Sequence, residues 1–126
     1  RIAPVHAEAV AAVPQAHRDF LVSRPTSFVR GEVMFVHAGV RPGVPLDAQT
    51  ETDLLWIRGS FLVDPVDHGK LIVHGHTAID RPRNYGNRVN TDSGAAYGGP
   101  LSAIVLEGRD AFHLTQTGRV LLRREA

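Results

Sequence analysis

The chain contains no cysteine among its 126 residues, and this absence excludes several kinds of site. Disulfides, thiolate zinc centres, iron–sulfur clusters and thiol nucleophiles all need that side chain. Any metal ion must therefore be held by His, Asp, Glu or Asn. The length fits one domain, which can bury roughly two thirds of the surface of its unfolded chain.

Neither sign of charge is in excess, because 14 Lys and Arg residues balance 13 Asp and Glu residues to a formal net charge of +1. No run of like charges indicates a nucleic-acid surface or an acidic tail. The apolar stretches are shorter than the roughly 20 residues of a membrane span, and no secretory leader opens the sequence. We expect a cytoplasmic protein without a membrane partner. Because the first residue is Arg1 and not Met, we treat the chain as a possible fragment.

Hydrophobic spacing in the first third predicts helix followed by a buried strand. Apolar residues recur at threes and fours over residues 4–21, and Pro14 predicts either a kink or two short helices there. The unbroken apolar run 33–36 predicts a strand buried on both faces. A loop rich in glycine and proline follows, so His37 lies at the carboxyl end of that strand.

The next segment predicts a helix that ends in an arginine. The helix begins near Thr50 or Thr52, carries residues 54–58 and stops at Gly59. A guanidinium at Arg58 can bind two oxygens of a phosphate at once and stays charged at all working pH values. The alternative is a cation that is favoured there by the dipole of the helix.

The remaining segments predict a mixed α/β domain that ends in antiparallel strands. Residues 81–87 predict a loop, and the last three segments a meander that finishes a sheet. In open α/β sheets, ligands bind beyond the carboxyl ends of the strands. The strands are expected at residues 71–73, 88–91, 101–106, 111–115 and 119–122.

Two histidines are placed alike at strand ends. His37 follows the first buried strand and His76 the second, so both imidazoles can converge on one metal ion. His74, two residues earlier, is either a neighbour or a contact to substrate. A structural role remains open for each histidine. His74 and His76 also suggest a histidine-triad nucleotide hydrolase, although the third alternating histidine is lacking.

Carboxylate ligands are scarce in this pattern. A well-held metal ion usually needs three or four protein ligands. Asp92 ends a strand and can serve as a ligand, but Asp-Ser-Gly is also a common turn in which the carboxylate caps backbone amides. Asp53 and Asp80 show no feature that favours a ligand. The sequence is short of anionic ligands for the ion that its histidines predict.

Four strings of the sequence stand out: FVHAGVRP at 35–42, DLLWIR at 53–58, VHGHT at 73–77 and NTDSGAAYGG at 90–99. Together they resemble the latter half of the calcineurin-like metallophosphoesterases. The resemblance is nearest to the bacterial phosphoprotein phosphatase branch, which includes diadenosine tetraphosphate hydrolases of the symmetrical type. Four motifs in the right order are much more specific than any one of them.

The resemblance implies a dinuclear metal site in which two divalent ions, manganese above all, or iron, zinc or nickel, activate a hydroxide that attacks phosphorus. His37 and His76 map to metal ligands, and Arg58 to the arginine that binds phosphate. Asp92 falls at a position that is generally structural, and Tyr97 is expected to line the pocket. The implied fold is the C-terminal part of a four-layer αββα sandwich, with a mixed sheet and an antiparallel C-terminal meander.

The sequence departs from the family in its first half. The Gly-Asp-x-His-Gly, Gly-Asp-x-x-Asp-Arg-Gly and Gly-Asn-His-Glu loops, which supply the other ligands, do not occur. We therefore interpret residues 1–126 as one partial domain whose N-terminal half is missing. The intact parent is expected to be a phosphoester hydrolase, acting on phosphoproteins or dinucleoside polyphosphates. The alternative is an inactive remnant or an interaction module.

Overall fold

The computed structural model describes residues 2–125, which form four α-helices and eight strands. The helices are α1 (Ile2–Ala12), α2 (Gln15–Val22), α3 (Glu51–Trp56) and α4 (Gly59–Val63). The strands are β1 (Ser27–Arg30), β2 (Val33–Val36), β3 (Leu71–His74), β4 (Arg83–Asn84), β5 (Arg88–Asn90), β6 (Ala103–Glu107), β7 (Asp110–Thr115) and β8 (Gly118–Leu121).

A five-stranded mixed sheet forms the centre of the fold, in the order β1-β2-β3-β5-β4. β2, β3 and β5 run parallel, while β1 and β4 are antiparallel edge strands. The predicted buried strands are confirmed, since all four residues of β3 are buried. The edge strands β1 and β4 were not predicted, and the loop expected at residues 81–87 contains β4. Both edge strands are short and polar or exposed, so neither has the apolar pattern of an interior strand.

The predicted C-terminal meander is confirmed, with β6, β7 and β8 paired in antiparallel order. The meander was expected to finish the mixed sheet, but it forms a separate three-stranded sheet. The meander strands are joined by tight turns. In the turn between β6 and β7, Gly108 has a φ of 60°, a left-handed conformation that favours glycine.

The mixed sheet has an apolar core on each face. Met34 and Ile72 pack on one face with Phe61 of α4. On the other face Leu71 and Val89 pack against Ala111 of β7. Residues 2–125 therefore contain helices, a mixed sheet and an antiparallel sheet in succession. The four-layer sandwich stays a prediction.

The helices differ from the sequence prediction in one place that concerns the site. Pro14 separates α1 from α2, as expected, and the Thr50 side chain accepts a hydrogen bond from the Asp53 amide at the start of α3. The helix ends at Trp56, however, and Gly59 begins α4 where a helix stop was predicted. The extended backbone of Ile57, whose side chain is buried, turns the chain between the two helices.

Close packing beneath α4 requires a glycine. A Cβ atom at Gly39 would lie 2.2 Å from a ring carbon of Phe61, and the φ of Gly39 is +154°. The loop after β2 can therefore pass directly over the Phe61 ring. None of the helices within residues 2–125 has the length and apolar content needed to cross a membrane.

Candidate functional site

The parallel strands bring the predicted polar loops to one edge of the mixed sheet. His37 follows β2, His76 follows β3 by two residues, and Asp92 follows β5. Backbone hydrogen bonds join the loops, because the Gly75 amide donates to the His37 carbonyl over 2.9 Å. The predicted crevice beyond the strand ends is thus where the histidines lie.

The two predicted metal ligands face each other. His37 Nε2 lies 3.2 Å from His76 Nδ1, and the ring centroids are 4.9 Å apart at an angle of 60°. The two residues are 39 positions apart in sequence, so the fold and not local sequence brings them together. Their roles as ligands stay predictions.

The spacing of these nitrogens fits a shared metal ion. Metal–nitrogen bonds of about 2.0–2.1 Å put two imidazoles on a tetrahedral ion roughly 3.3 Å apart. Imidazole nitrogens suit zinc, iron and nickel. Residues 2–125 contain no group of three or more His, Asp or Glu side chains that could hold an ion. The described residues therefore bring two potential ligands together without a third.

Arg58 lies directly beside the histidine pair. Its Nε donates to His76 Nε2 over 3.2 Å, and its Nη2 donates to the His76 carbonyl over 3.4 Å. Trp56 presents its indole at 87° to the His76 ring, with centroids 5.8 Å apart. The predicted position of Arg58 in the last turn of a helix is wrong, because it precedes the first turn of α4. Arg58 thus lies two residues beyond the end of α3 and one before α4, outside the last turn that the dipole explanation requires.

The surroundings of His76 favour its neutral form. Burial lowers the pKa of His76, and the positive charge of Arg58 and the nearby His37 lower it further. Neutral imidazole is the form that binds metal ions. Because a guanidinium only donates, His76 Nε2 accepts from Arg58 in the metal-free chain, and Nδ1 then carries the hydrogen directed at His37. A metal ion on Nδ1 would require that hydrogen to move to Nε2 and the hydrogen bond from Arg58 Nε to be released.

His74 lies below the site and not on its surface. Its side chain is buried, and this burial lowers its pKa to about 4. Its two ring nitrogens lie 3.1 Å from the Gly75 carbonyl and 3.2 Å from Arg88 Nη1. The predicted contact of His74 with substrate stays a prediction, and its burial favours the alternative role as a neighbour.

Asp92 and Tyr97 are less closely tied to the histidine pair. Asp92 Oδ1 accepts a hydrogen bond from the Gly94 amide over 3.1 Å, which is the predicted turn interaction. Tyr97 lies in a short 3-10 helix and is 87% exposed. Its place in the lining of a pocket stays a prediction.

Two buried polar residues of β5 near the site were missed by the sequence reasoning. Arg88 contacts His74, and Asn90 donates to the Thr77 carbonyl over 2.8 Å. Both side chains are buried. Arginine and asparagine inside a short strand between buried neighbours are unusual, and that pattern was the available signal.

The amino-acid sequence is similar to the asymmetrical bis(5'-nucleosyl)-tetraphosphatase PrpE of Geobacillus thermodenitrificans (strain NG80-2), at 35% identity over 88 residues. The match takes in 59% of this chain and 36% of the relative, so the chain spans about a third of the length of the curated relative that it matches. Neither a protein-family model nor a solved structure matches the chain. The similarity supports a relationship to phosphoesterases. The relative is of the asymmetrical type, whereas the motifs had suggested the branch with symmetrical enzymes.

Proposed function

We propose that the chain is part of a metal-dependent phosphoester hydrolase. The observation that carries the proposal is the convergence of His37 Nε2 and His76 Nδ1 to 3.2 Å, with Arg58 hydrogen-bonded beside them. Two imidazoles and a guanidinium form a compact site for a cation and a phosphate. The similarity to a tetraphosphatase supports the same reaction class.

In this proposal each of the three side chains has a separate task. His37 and His76 hold a divalent ion, manganese or else iron, zinc or nickel, as part of a two-ion centre. The bound ions supply an activated water and neutralise charge on the phosphate. Arg58 binds and orients the phosphate, since a charged phosphate oxygen is a stronger acceptor for a guanidinium than the neutral imidazole it contacts now.

The proposed substrate is a dinucleoside polyphosphate, and a phosphoprotein is the second substrate class. The first follows the name of the relative, which is a tetraphosphatase. The formal net charge of +1 gives no long-range attraction for either class. Dinucleoside polyphosphates and phosphoproteins can therefore be separated only by assay.

We further propose that the missing carboxylate ligands belong to polypeptide outside these 126 residues. This accounts for the absence of a third potential ligand within the described residues, 2–125. It also agrees with the match to 36% of the relative. The chain would then be the C-terminal portion of the catalytic domain.

The test is hydrolysis of diadenosine tetraphosphate and of p-nitrophenyl phosphate, with Mn²⁺ added in steps. The assay uses the chain as it stands and a version extended by the coding sequence upstream of it. We expect metal-dependent turnover by the extended protein, abolished by chelator and by His76→Ala. His17→Ala, which removes an exposed imidazole of α2, is the matched control and should leave the rate unchanged. Equal rates for His76→Ala and wild type, with and without chelator, would refute the mechanism.

A non-catalytic interaction module is the second candidate. The same shortage of ligands within residues 2–125 favours it, because two imidazoles alone hold a metal ion weakly. Assay of the 126-residue chain decides between the two candidates for the chain by itself. Rapid metal-dependent hydrolysis by that chain would contradict the module.

A further inference from the structure

Arg88, the first residue of β5, is a buried cation with no carboxylate partner among residues 2–125. The residue is 5% exposed, and its Nη2 donates to the Leu62 carbonyl over 2.8 Å. The guanidinium stacks over the Tyr85 ring at 3.7 Å and lies 5.6 Å from the centre of Phe61. A buried charge without a counter-ion is costly, and an apolar side chain of similar volume is often as stable. The presence of arginine here therefore calls for a reason other than stability.

The contact between Arg88 and His74 fixes which nitrogen of the imidazole carries the hydrogen. Arginine has donors and no acceptor, so His74 Nε2 must accept from Arg88 Nη1, 3.2 Å away. The ring hydrogen then lies on Nδ1, which donates to the Gly75 carbonyl over 3.1 Å. Arg88 thus makes His74 a donor to the backbone.

The carbonyl that His74 holds belongs to the turn on which His76 is carried. The Thr77 amide donates to the same Gly75 carbonyl over 2.7 Å, which closes a three-residue turn with His76 at its centre. His76 has a φ of 67°, and among the non-glycine residues from 2 to 125 it alone has a positive φ. Three-residue turns of this hand are rare and strained, and persist where the surroundings hold them.

We propose that Arg88 and His74 are positioning residues that aim His76 at His37. Arg88 selects the tautomer of His74, His74 holds the Gly75 carbonyl, and the held peptide keeps the strained turn that presents His76 Nδ1. The use of that nitrogen for a metal ion rests on the proposed function. The orientation of the ring does not, and can be measured without metal.

The first measurement is the long-range ¹H–¹⁵N spectrum of the histidine rings in the 126-residue chain without metal. We expect His74 to be protonated on Nδ1. In Arg88→Met, which keeps the volume and removes the donors, only the Gly75 carbonyl still favours that tautomer. We therefore expect the fraction of His74 protonated on Nδ1 to fall and the ring signals of His76 to move. Arg83→Met removes an arginine of the neighbouring strand β4 that is paired with Asp80. This variant should change the ring signals of neither His74 nor His76. A wild-type His74 protonated on Nε2, or an unmoved His76 in Arg88→Met, would overturn the proposal.

The second measurement is the affinity for Zn²⁺ by calorimetry. Loss of a residue that orients a metal ligand typically weakens metal affinity about 10- to 100-fold. We expect that range for Arg88→Met and no change for Arg83→Met. His74→Asn keeps a donor near the position of Nδ1, and should retain more affinity than His74→Leu. Equal affinity for the two His74 variants would overturn the proposal, even if Arg88→Met does not fold. If wild type binds no Zn²⁺, the metal site of the proposed function fails on this chain, and the ring spectra alone decide whether Arg88 positions His76.

Discussion

Four of the arginines form two groups with different partners. Arg41 and Arg83 bind carboxylates, and each makes two or more charge-assisted hydrogen bonds to Asp or Glu. Arg58 and Arg88 bind imidazoles and backbone carbonyls, and neither forms an ion pair within residues 2–125. The first group neutralises its charge locally, while the second leaves positive charge beside the two histidines. Arginines that donate to imidazoles, and not arginines in general, mark the candidate site.

The largest effect is expected from removing the Phe61 ring, which contacts both His74 and Arg88. Phe61 is fully buried and packs edge-on against His74 with centroids 4.9 Å apart. Phe61→Ala should lower the free energy of unfolding by about 3–5 kcal/mol, because it leaves a cavity and removes a platform of Arg88. Urea denaturation measures the loss. Phe61→Leu, which refills most of the volume, should lose much less, and a similar loss in both variants would argue against cavity formation.

The next effect concerns activity and separates the two groups directly. Arg58→Ala should lower kcat/KM of the active extended protein by about 100- to 1000-fold, the usual cost of removing a donor to transition-state charge. Arg119→Ala is the matched control, since it removes an exposed arginine paired with Glu107. It should leave kcat/KM unchanged and reduce stability by about 1 kcal/mol at most. Unchanged kinetics in Arg58→Ala would remove Arg58 from the site.

The smallest effect is a pH dependence of stability that arises from the ion pair between Arg41 and Asp53. Hydrogen bonds from Arg41 lower the pKa of Asp53 below its ordinary value of 3.8. A lowered pKa in the folded state adds stability above pH 3.8, and that stability is lost as the pH falls through the lowered pKa. Asp53→Asn should therefore be destabilising at pH 6 and less so at pH 3. Thermal unfolding at both values measures this, with Arg41→Met expected to show the same trend. A loss of stability that is equal at both pH values would mean that the pairing of Arg41 with Asp53 makes no pH-dependent contribution to stability.

The sequence predicts the interior strands well because their signal is local. Residues 33–36 and 71–73 are unbroken apolar runs, and the polar residues after them fall at strand ends whatever the exact bounds. The edge strand Ser27–Arg30 is exposed and was missed, since its pairing with β2 and not its composition makes it a strand. Hydrophobic spacing also could not show that the helix stops at Trp56.

The members of the candidate site can be proposed from the sequence, but the contacts between them cannot. His37, His76 and Arg58 carry chemistry that can be recognised from residue type and position. The contact between Arg88 and His74 joins strands that are distant in sequence, so it depends on the register of β3 with β5. No periodicity encodes that register. The contact between Arg88 and His74 is therefore visible only in the folded structure.

The left-handed backbone of His76 also limits which amino acids can replace it. A φ of 67° is readily adopted by glycine and tolerated by asparagine, aspartate and histidine, while β-branched residues are excluded. Of the tolerated residues, histidine alone offers a neutral ring nitrogen. In a saturation library at position 76, histidine would be the one residue that both tolerates this backbone and provides the ring nitrogen.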